Sequence, residues 1–317
     1  MGIALIICTR NRPNILSRTL SSNIHGQTLM PGLVVVVDSS DDHILKINAG
    51  TCSNAAQLTG CQIVHVSSQS GLPYQRNVGI QYITTHHNLK FDLIAFADDD
   101  VLIGSEFLSE SVQLLLEYPV ASGVGAFQQD SEKVLGVKVL QLLGLMNRSP
   151  GTLSRSVLLT PPHFKPYTYL ADFTPGGLML FRSALFESAL FDGKLRMFGE
   201  DIEFQLRALQ PCSICIGTRT SFVHLEATRG KIGTLRTMMS TVAVRWNLAK
   251  SYPSRLSVAC VIGSSLLIGI SSAITGIVTL NKKRIMEALG CLFGLFLCVC
   301  LPHRASLIDH LDREEIP

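Results

Sequence analysis

The most constraining feature of this sequence is an apolar run that ends abruptly in three consecutive carboxylates. Residues 94–97 read Ile-Ala-Phe-Ala, and Asp98, Asp99 and Asp100 follow at once. Like charges repel, so a triplet at the end of a buried strand favours a divalent cation beside it, and carboxylate oxygens suit Mg²⁺ or Mn²⁺. The alternative is an acidic turn that caps a helix beginning near Ser105, for which one carboxylate would suffice. The pattern favours the metal site.

Two earlier apolar runs also end in polar residues. Residues 3–8 form one such run and are followed by Thr9, and residues 33–37 form another and are followed by Asp38. A helical pattern lies between the two runs. The order strand, helix, strand predicts a parallel sheet, in which ligands collect at the carboxyl ends of the strands. All three polar clusters are therefore expected to face one crevice.

Six short motifs resemble those of glycosyltransferase family 2 in order and spacing. They read CTRNR, VDSS, GLPYQRNVG, FADDD, PGGLML and FGEDIEF, and they begin at Cys8, Val37, Gly71, Phe96, Pro175 and Phe198. Each motif is weak alone, but together they cover roughly residues 3–226. The resemblance implies an α/β fold of the GT-A type, with a Rossmann-like mixed, mainly parallel sheet between helices. It also implies a nucleotide-sugar donor and a bound Mg²⁺ or Mn²⁺.

The same resemblance assigns roles to the acidic residues. The family's D-x-D motif meets the metal and the ribose, which implies that Asp100 is a metal ligand and that Asp98 and Asp99 share the ribose and the metal. For the adjacent acids of the FGEDIEF motif, the resemblance implies that Asp201 is the catalytic base and that Glu200 binds the acceptor or orients the base. Stabilisation of adjacent carboxylates by a helix N-terminus is the structural alternative for that pair.

Further positions match the family's nucleotide-binding and metal-binding residues. Thr9 and Asp38 correspond to contacts with the nucleobase and ribose, although both residue types also begin turns. Arg76 corresponds to a nucleotide contact, with a helix-surface arginine as the alternative. His224 corresponds to a ligand of the metal or diphosphate, weighed equally against a structural histidine. The pair at 176–177, Gly176 and Gly177, suits a loop close to the donor sugar, and a tight turn explains it equally well.

The C-terminal part of the chain has the composition of a membrane-associated segment. The whole chain is 47% hydrophobic and 16% charged. Residues 256–280 contain no charge, which is long enough to cross a bilayer core that needs about 20 residues. We expect a catalytic domain over 1–233, an amphipathic segment over 234–255, a membrane hairpin made of 256–280 and 285–301, and a polar tail over 302–317. A buried hairpin in a soluble domain is the alternative.

The side of the membrane is not fixed by the sequence. Basic residues flank the hairpin at both ends, and Lys282, Lys283 and Arg284 also lie in the turn between its two segments. The positive-inside rule therefore does not distinguish a spanning hairpin from an interfacial one. The resemblance implies a cytoplasmic catalytic domain at a bacterial inner membrane, and no signal peptide is predicted because Arg10 follows too few apolar residues. A net charge of +3 without a basic, aromatic stripe argues against nucleic-acid binding. Cys212 and Cys215 form a lone C-x-x-C, so no zinc site is expected.

The resemblance therefore implies an inverting, metal-dependent hexosyl- or deoxyhexosyl-transferase, similar to the rhamnosyl or exopolysaccharide transferases of the family. The donor is expected to be UDP-, GDP- or dTDP-linked, and the acceptor to be a hydroxyl of a lipid-linked or polysaccharide molecule. Val242 stands where processive synthases have Gln in their Q-x-x-R-W motif, which argues against a processive polymerase. The alternatives are a polyprenyl-phosphate glycosyltransferase and a catalytically inactive scaffold protein.

Overall fold

A computed structural model describes residues 1–85, 90–129, 137–195, 199–225 and 234–300. The chain divides into two compact units, one made of Met1–Ser131 and Pro161–Ala227 and the other of Glu132–Thr160 and Thr228–Pro317. The sequence predicted one domain over 1–233, whereas residues 132–160 group with the C-terminal helices. The start of the FGEDIEF motif, the junction at 226–233 and the predicted polar tail lie outside the described residues.

The described residues contain the following elements. The strands are β1 (Ile3–Thr9), β2 (Leu33–Asp38), β3 (Ile63–Ser67), β4 (Leu93–Asp98), β5 (Val101–Ile103), β6 (Gly123–Gln128), β7 (Thr152–Leu153), β8 (Leu159–Thr160), β9 (Tyr169–Ala171), β10 (Leu178–Arg182) and β11 (Ile214–His224). The helices are α1 (Pro13–His25), α2 (Asp42–Thr59), α3 (Leu72–Thr85), α4 (Phe107–Glu117), α5 (Val137–Leu142), α6 (Glu200–Ala208), α7 (Thr234–Ser251), α8 (Val258–Val278) and α9 (Lys282–Cys300), and Ser183–Glu187 forms a 3₁₀ helix.

The first unit is built on a mixed sheet flanked by helices. Within the described residues the sheet has nine strands, in the order β3-β2-β1-β4-β10-β6-β11-β5, and β9 pairs with β11. Strands β3, β2, β1 and β4 are mutually parallel, and β11 is parallel to β6. Strand β10 runs antiparallel to both β4 and β6. The architecture is the mixed α/β fold that the motifs predicted, with antiparallel strands in its second half.

Both faces of the central strands are buried, which explains their continuous apolar runs. On β1, Leu5 belongs to the core that contains Leu16 of α1, and Ile6 belongs to the opposite core that contains Ile80 of α3. Helix α3 approaches β1 closely at Gly79, where an added Cβ would lie 2.8 Å from a methyl carbon of Ile6. Glycine is therefore needed there for the helix to pack on the sheet.

The strand register brings the three polar clusters together. Thr9 at the end of β1 lies opposite Asp38 at the end of β2, and Cys8 lies opposite Asp98 at the end of β4. The carboxyl ends of these parallel strands therefore lie side by side at one edge of the sheet, as the sequence predicted.

The second unit is dominated by three packed helices, α7, α8 and α9. Glycines allow close approach: Gly269 of α8 faces Cys291 of α9, and Gly294 of α9 faces Val242 of α7. Arg245 of α7 is buried and donates hydrogen bonds to the carbonyl of Ser156 and to hydroxyls on α8. This buried guanidinium helps explain why the 132–160 segment belongs with the C-terminal helices.

Helices lie where the sequence predicted the juxtamembrane segment and the hairpin. Among the described residues, one helix, Val258–Val278, is long and apolar enough to cross a membrane by length and composition. Helix α9 is not such a helix, and its first two turns carry four charged residues, Lys282, Lys283, Arg284 and Glu287.

Candidate active site

Two carboxylates and one imidazole meet at the carboxyl edge of the sheet. One ligand atom from each of Asp98, Asp100 and His224 lies within 4.8 Å of the other two. Asp98 ends β4, Asp100 lies in the following turn, and His224 ends β11. The backbone holds this arrangement, because His224 pairs with Val101 in the β5–β11 ladder and the N–H of Leu225 donates to the carbonyl of Asp100.

The electrostatics of this cluster suit a divalent cation. Burial raises the pKa of Asp98 above its ordinary value. Burial acts in the same direction on Asp100. The hydrogen bond and charge of His224, whose Nε2 lies 2.8 Å from Asp100 Oδ1, act with the charge of Arg12 and a backbone hydrogen bond to leave the pKa of Asp100 lowered. Carboxylate oxygens with one imidazole nitrogen form a donor set that Mn²⁺ or Mg²⁺ accepts. The residues therefore fit the cation that the sequence predicted.

Asp99, the middle carboxylate, is not one of the three clustered ligands and contacts residues of the first strand and the first helix. The hydroxyl of Thr9 donates a 2.7 Å hydrogen bond to its Oδ2, and Arg12 Nη1 lies 3.0 Å from its Oδ1. The carbonyl of Asp99 accepts from the Thr19 hydroxyl of α1. Burial raises the pKa of Asp99 to about 6, although the Arg12 charge and the Thr9 hydrogen bond oppose the rise. The predicted nucleotide contacts of Thr9 and Asp99 stay predictions.

A buried arginine links the metal cluster to the second acidic motif. Arg76 of α3 is 2% exposed; its Nη1 lies 3.0 Å from Glu200 Oε1 and its Nη2 lies 3.5 Å from Asp98 Oδ1. Nη2 also donates to the carbonyl of Gly176. The sequence suggested that Arg76 contacts the nucleotide, a role that stays a prediction. In the structure, its side chain bridges two carboxylates and a backbone carbonyl.

The acidic pair begins α6 directly after Gly199, whose φ of 79° is readily adopted by glycine. Asp201 is half-buried; its Oδ2 accepts a 2.8 Å hydrogen bond from the N–H of Gly176, and its Oδ1 accepts from the N–H of Ile202. Glu200 is buried, and burial, with the nearby charge of Asp201, raises its pKa to about 7 against the effect of Arg76. Asp201 is thus the more accessible acid of the two.

The glycine pair connects the two acidic motifs through the backbone. The carbonyl of Gly177 accepts from the N–H of Asp98, and Gly176 bonds to Arg76 and Asp201. An added Cβ at Gly176 would lie 3.0 Å from Arg76 Nη2 and 3.2 Å from Asp201 Cβ. The structure thus brings the glycine pair together with both acidic motifs.

Asp38 is the predicted residue whose carboxylate stands apart from this network. It is fully buried: Oδ1 accepts from the N–H of Ser40, and Oδ2 accepts from Asn48 Nδ2 and lies 3.0 Å from His65 Nε2. Burial works to raise its pKa, but the hydrogen bonds from His65, Ser40 and Asn48 hold it below the ordinary value. Its contact with a nucleotide stays a prediction.

Sequence reasoning did not assign three residues that shape this edge. Arg12 contacts the acidic triplet, His65 contacts Asp38, and Gln75 of α3 donates to the carbonyls of Thr9 and Val37, which ties the ends of β1 and β2 together. The available signal for Gln75 was that it is a polar residue at a position of α3 that faces the sheet. The pairing of Arg12 with the triplet depends on contacts across more than 80 residues and had no local signal.

Comparisons with known proteins identify the family and the fold. The sequence profile of the glycosyltransferase like family 2 matches residues 1–252. No curated protein matches the chain. The mannosyltransferase PcManGT from Pyrobaculum calidifontis, solved with GDP-Man and Mn²⁺, is 15% identical with a TM-score of 0.53, over 98% of this chain and 88% of that chain. Residues 1–349 of TarS from S. aureus, solved with UDP-GlcNAc, are 17% identical with a TM-score of 0.51, over 98% and 88%. At these identities the similarity shows the fold.

Proposed function

The chain belongs to glycosyltransferase like family 2, and from that premise we propose that it is an inverting, metal-dependent glycosyltransferase. It moves a hexose or deoxyhexose from a nucleotide-sugar donor to an acceptor hydroxyl. Asp98, Asp100 and His224 hold Mg²⁺ or Mn²⁺, and Asp201 is the catalytic base.

One observation carries this proposal: two acidic clusters meet through a single loop. Asp201 Oδ2 accepts the N–H of Gly176, and the next residue, Gly177, accepts the N–H of Asp98. A cation cluster and a proton-accepting carboxylate are therefore held on either side of two glycines. That arrangement suits a reaction in which a diphosphate leaves one side of a sugar and a hydroxyl attacks from the other.

Each side chain has a definite task in this proposal. When bound, the cation neutralises charge on the departing diphosphate. Asp201 takes the proton of the acceptor hydroxyl as the oxygen attacks the anomeric carbon; each of its oxygens has one backbone hydrogen bond and retains a second lone pair. Glu200 orients this end of α6 through Arg76 and binds the acceptor. Gly176 and Gly177 leave room for the donor sugar.

The donor is UDP-, GDP- or dTDP-linked, and Thr9, Asp38, Arg76 and Asp99 form the nucleotide end of the site. Thr9 and Asp99 are joined by a hydrogen bond, and Asp38 supports the end of the adjacent strand. Asp38 would contact the nucleobase only after its present hydrogen-bond partners rearrange. The acceptor hydroxyl belongs to a lipid-linked or polysaccharide molecule.

The C-terminal helices support a membrane location for this reaction. Apolar side chains are exposed along one stripe of each helix: Ile270, Ile274 and Ile277 on α8, and Leu292, Phe293 and Phe296 on α9. Water penalises such contiguous apolar surface, and lipid does not. We place the catalytic domain on the cytoplasmic side of a bacterial inner membrane, where nucleotide sugars are made, with the predicted segments at 234–255 and 256–301 as its attachment.

A screen of nucleotide sugars with Mn²⁺ tests the function. The full chain is expected to release nucleoside diphosphate from one donor, and Asp100→Ala is expected to abolish this release because it removes a cation ligand. Asp42→Ala, at an exposed position in the first turn of α2, is the matched control and should behave as wild type.

The same screen separates the rival functions. Release that depends on a polyprenyl phosphate, with no transfer to a hydroxyl acceptor, would identify a polyprenyl-phosphate glycosyltransferase. A folded protein that neither binds nor cleaves any donor with Mn²⁺ would be a scaffold protein and would contradict the proposal.

A further inference from the structure

Arg12 and His224 contact different oxygens of Asp100, the carboxylate proposed to bind the cation. Its Nη1 lies 3.1 Å from Asp100 Oδ2 and 3.0 Å from Asp99 Oδ1, while Asp100 Oδ1 lies 2.8 Å from His224. Arg12 immediately precedes α1, so the start of that helix fixes its backbone. One oxygen of Asp100 therefore faces the histidine and the other faces a permanent positive charge.

This contact has two opposite electrostatic consequences for a cation. Arg12 balances part of the charge of three adjacent carboxylates, so the acids can sit together before a metal arrives. The same positive charge repels a divalent cation a few ångströms away and competes for Asp100. Arg12 therefore lowers the affinity of the metal-free protein for the metal.

The rest of the Arg12 guanidinium is available to an anion. The side chain is 35% exposed, and within the described residues its hydrogen bonds all come from Nη1. Nε and Nη2 retain their donors on the same planar group. A guanidinium with donors to spare, beside a cation site, matches the charge and geometry of a diphosphate.

We propose that Arg12 makes cation binding depend on the donor, because it weakens binding of the cation alone and contacts the donor's diphosphate when both are present. This inference rests on the proposed function. It assigns to Arg12 a positive coupling between the binding of two ligands. Such coupling is reciprocal, so the diphosphate raises the affinity for the metal by the same factor as the metal raises the affinity for the diphosphate.

Mn²⁺ titrations of the full chain, followed by the electron paramagnetic resonance signal of free Mn²⁺, test this coupling. Arg12→Gln is expected to bind Mn²⁺ alone about threefold or more tighter than wild type, since a repelling charge is removed. Its affinity for UDP or GDP at saturating Mn²⁺ is expected to fall about tenfold, since a charge-assisted contact is lost. Arg12→Lys, which keeps the charge, should bind Mn²⁺ alone as wild type does.

The control is Arg18→Gln, which removes an exposed arginine of the same helix and should change neither affinity. A general structural role for Arg12 would weaken both ligands together, and that result would overturn the inference. So would unchanged affinities in Arg12→Gln.

Asp100→Asn separates this inference from the proposed function. If Asp100→Asn weakens Mn²⁺ binding while Arg12→Gln has wild-type affinities, the proposed cation site stands and only the role of Arg12 is wrong. If wild type binds no Mn²⁺, or Asp100→Asn binds it equally well, the proposed cation site itself is contradicted.

Discussion

Arg76 and Glu200 form a buried ion pair with an N–O distance of 3.0 Å, although 124 residues separate them in the sequence. The pair fixes helix α3 to the start of α6, and Arg76 Nη2 extends the link to Asp98. The guanidinium of Arg76 thus joins the two acidic motifs to which the proposed reaction assigns its roles.

Arg76→Met is expected to destabilise the first unit by about 3–5 kcal/mol, because it leaves Glu200 buried without its partner. Urea unfolding followed by circular dichroism measures this loss. Arg219→Met is the comparison, since the half-exposed Arg219 pairs with Glu106 at the surface at 2.7 Å and reaches the buried Glu110 only at 3.8 Å; it should cost about 1 kcal/mol or less. Equal effects would mean that the buried pair contributes no more than a surface one.

Gly176→Ala is expected to lower transfer by about tenfold or more while the protein stays folded. The added methyl would lie 3.2 Å from Asp201 and 3.0 Å from Arg76 Nη2, so the proposed base must shift, and small misplacements are costly in catalysis. Steady-state assays measure the loss. Gly193→Ala adds the same methyl where no atom of the described residues lies within 4 Å and should leave transfer unchanged. Full activity in Gly176→Ala would show that this close contact is not needed.

Asp38→Asn is expected to destabilise the fold by about 2–4 kcal/mol at neutral pH, because three donors lose a buried carboxylate. Folding lowers the pKa of Asp38 below 3.8, so its charge stabilises the fold above that pH, and this contribution disappears as the pH falls through the lowered value. The difference from wild type in urea unfolding should narrow below about pH 4. Asp42→Asn changes an exposed residue at the start of α2 and should have little effect on the stability of the fold. A constant difference at all pH values would contradict a role for the charge.

Much of the sheet could be predicted because local pattern determined it. Strands buried on both faces need uninterrupted apolar runs, and the runs that end at Thr9, Asp38 and Asp98 were visible as such. The order of parallel strands then placed their polar ends at one edge. The resemblance suggested His224 as a ligand of the metal or diphosphate, weighed equally against a structural histidine, and the structure brings it together with Asp98 and Asp100.

Contacts made by side chains across long sequence separations could not be predicted. Arg12 meets the acidic triplet almost 90 residues later, and Arg76 contacts residues from three later motifs. The sequence also gave no sign that residues 132–160 join the C-terminal helices, because their strands β7 and β8 are two residues long and carry no periodic pattern.

Replacing both Ile270 and Ile274 by Asp in a double variant is expected to reduce binding of the full chain to lipid vesicles. These side chains are 53% and 59% exposed on α8, and a carboxylate in an apolar membrane environment is unfavourable. Flotation with phosphatidylglycerol vesicles measures the bound fraction. Leu58→Asp, at a 69% exposed apolar position on α2, is the control and should float as wild type does. Unchanged flotation of the double variant would mean that α8 does not contact lipid.

The central claim is that Asp201 is the base of a metal-dependent sugar transfer, and Asp201→Asn tests it most directly. The change keeps the size of the side chain but removes its ability to take a proton. Turnover should fall by about 10²–10⁴-fold, measured as release of nucleoside diphosphate from the donor that wild type uses, while the affinity for that nucleotide with Mn²⁺ stays close to wild type. Asp192→Asn, at a carboxylate that accepts the N–H of Lys194, should retain full turnover. Near-normal turnover in Asp201→Asn, or an equal loss of nucleotide affinity, would contradict the account.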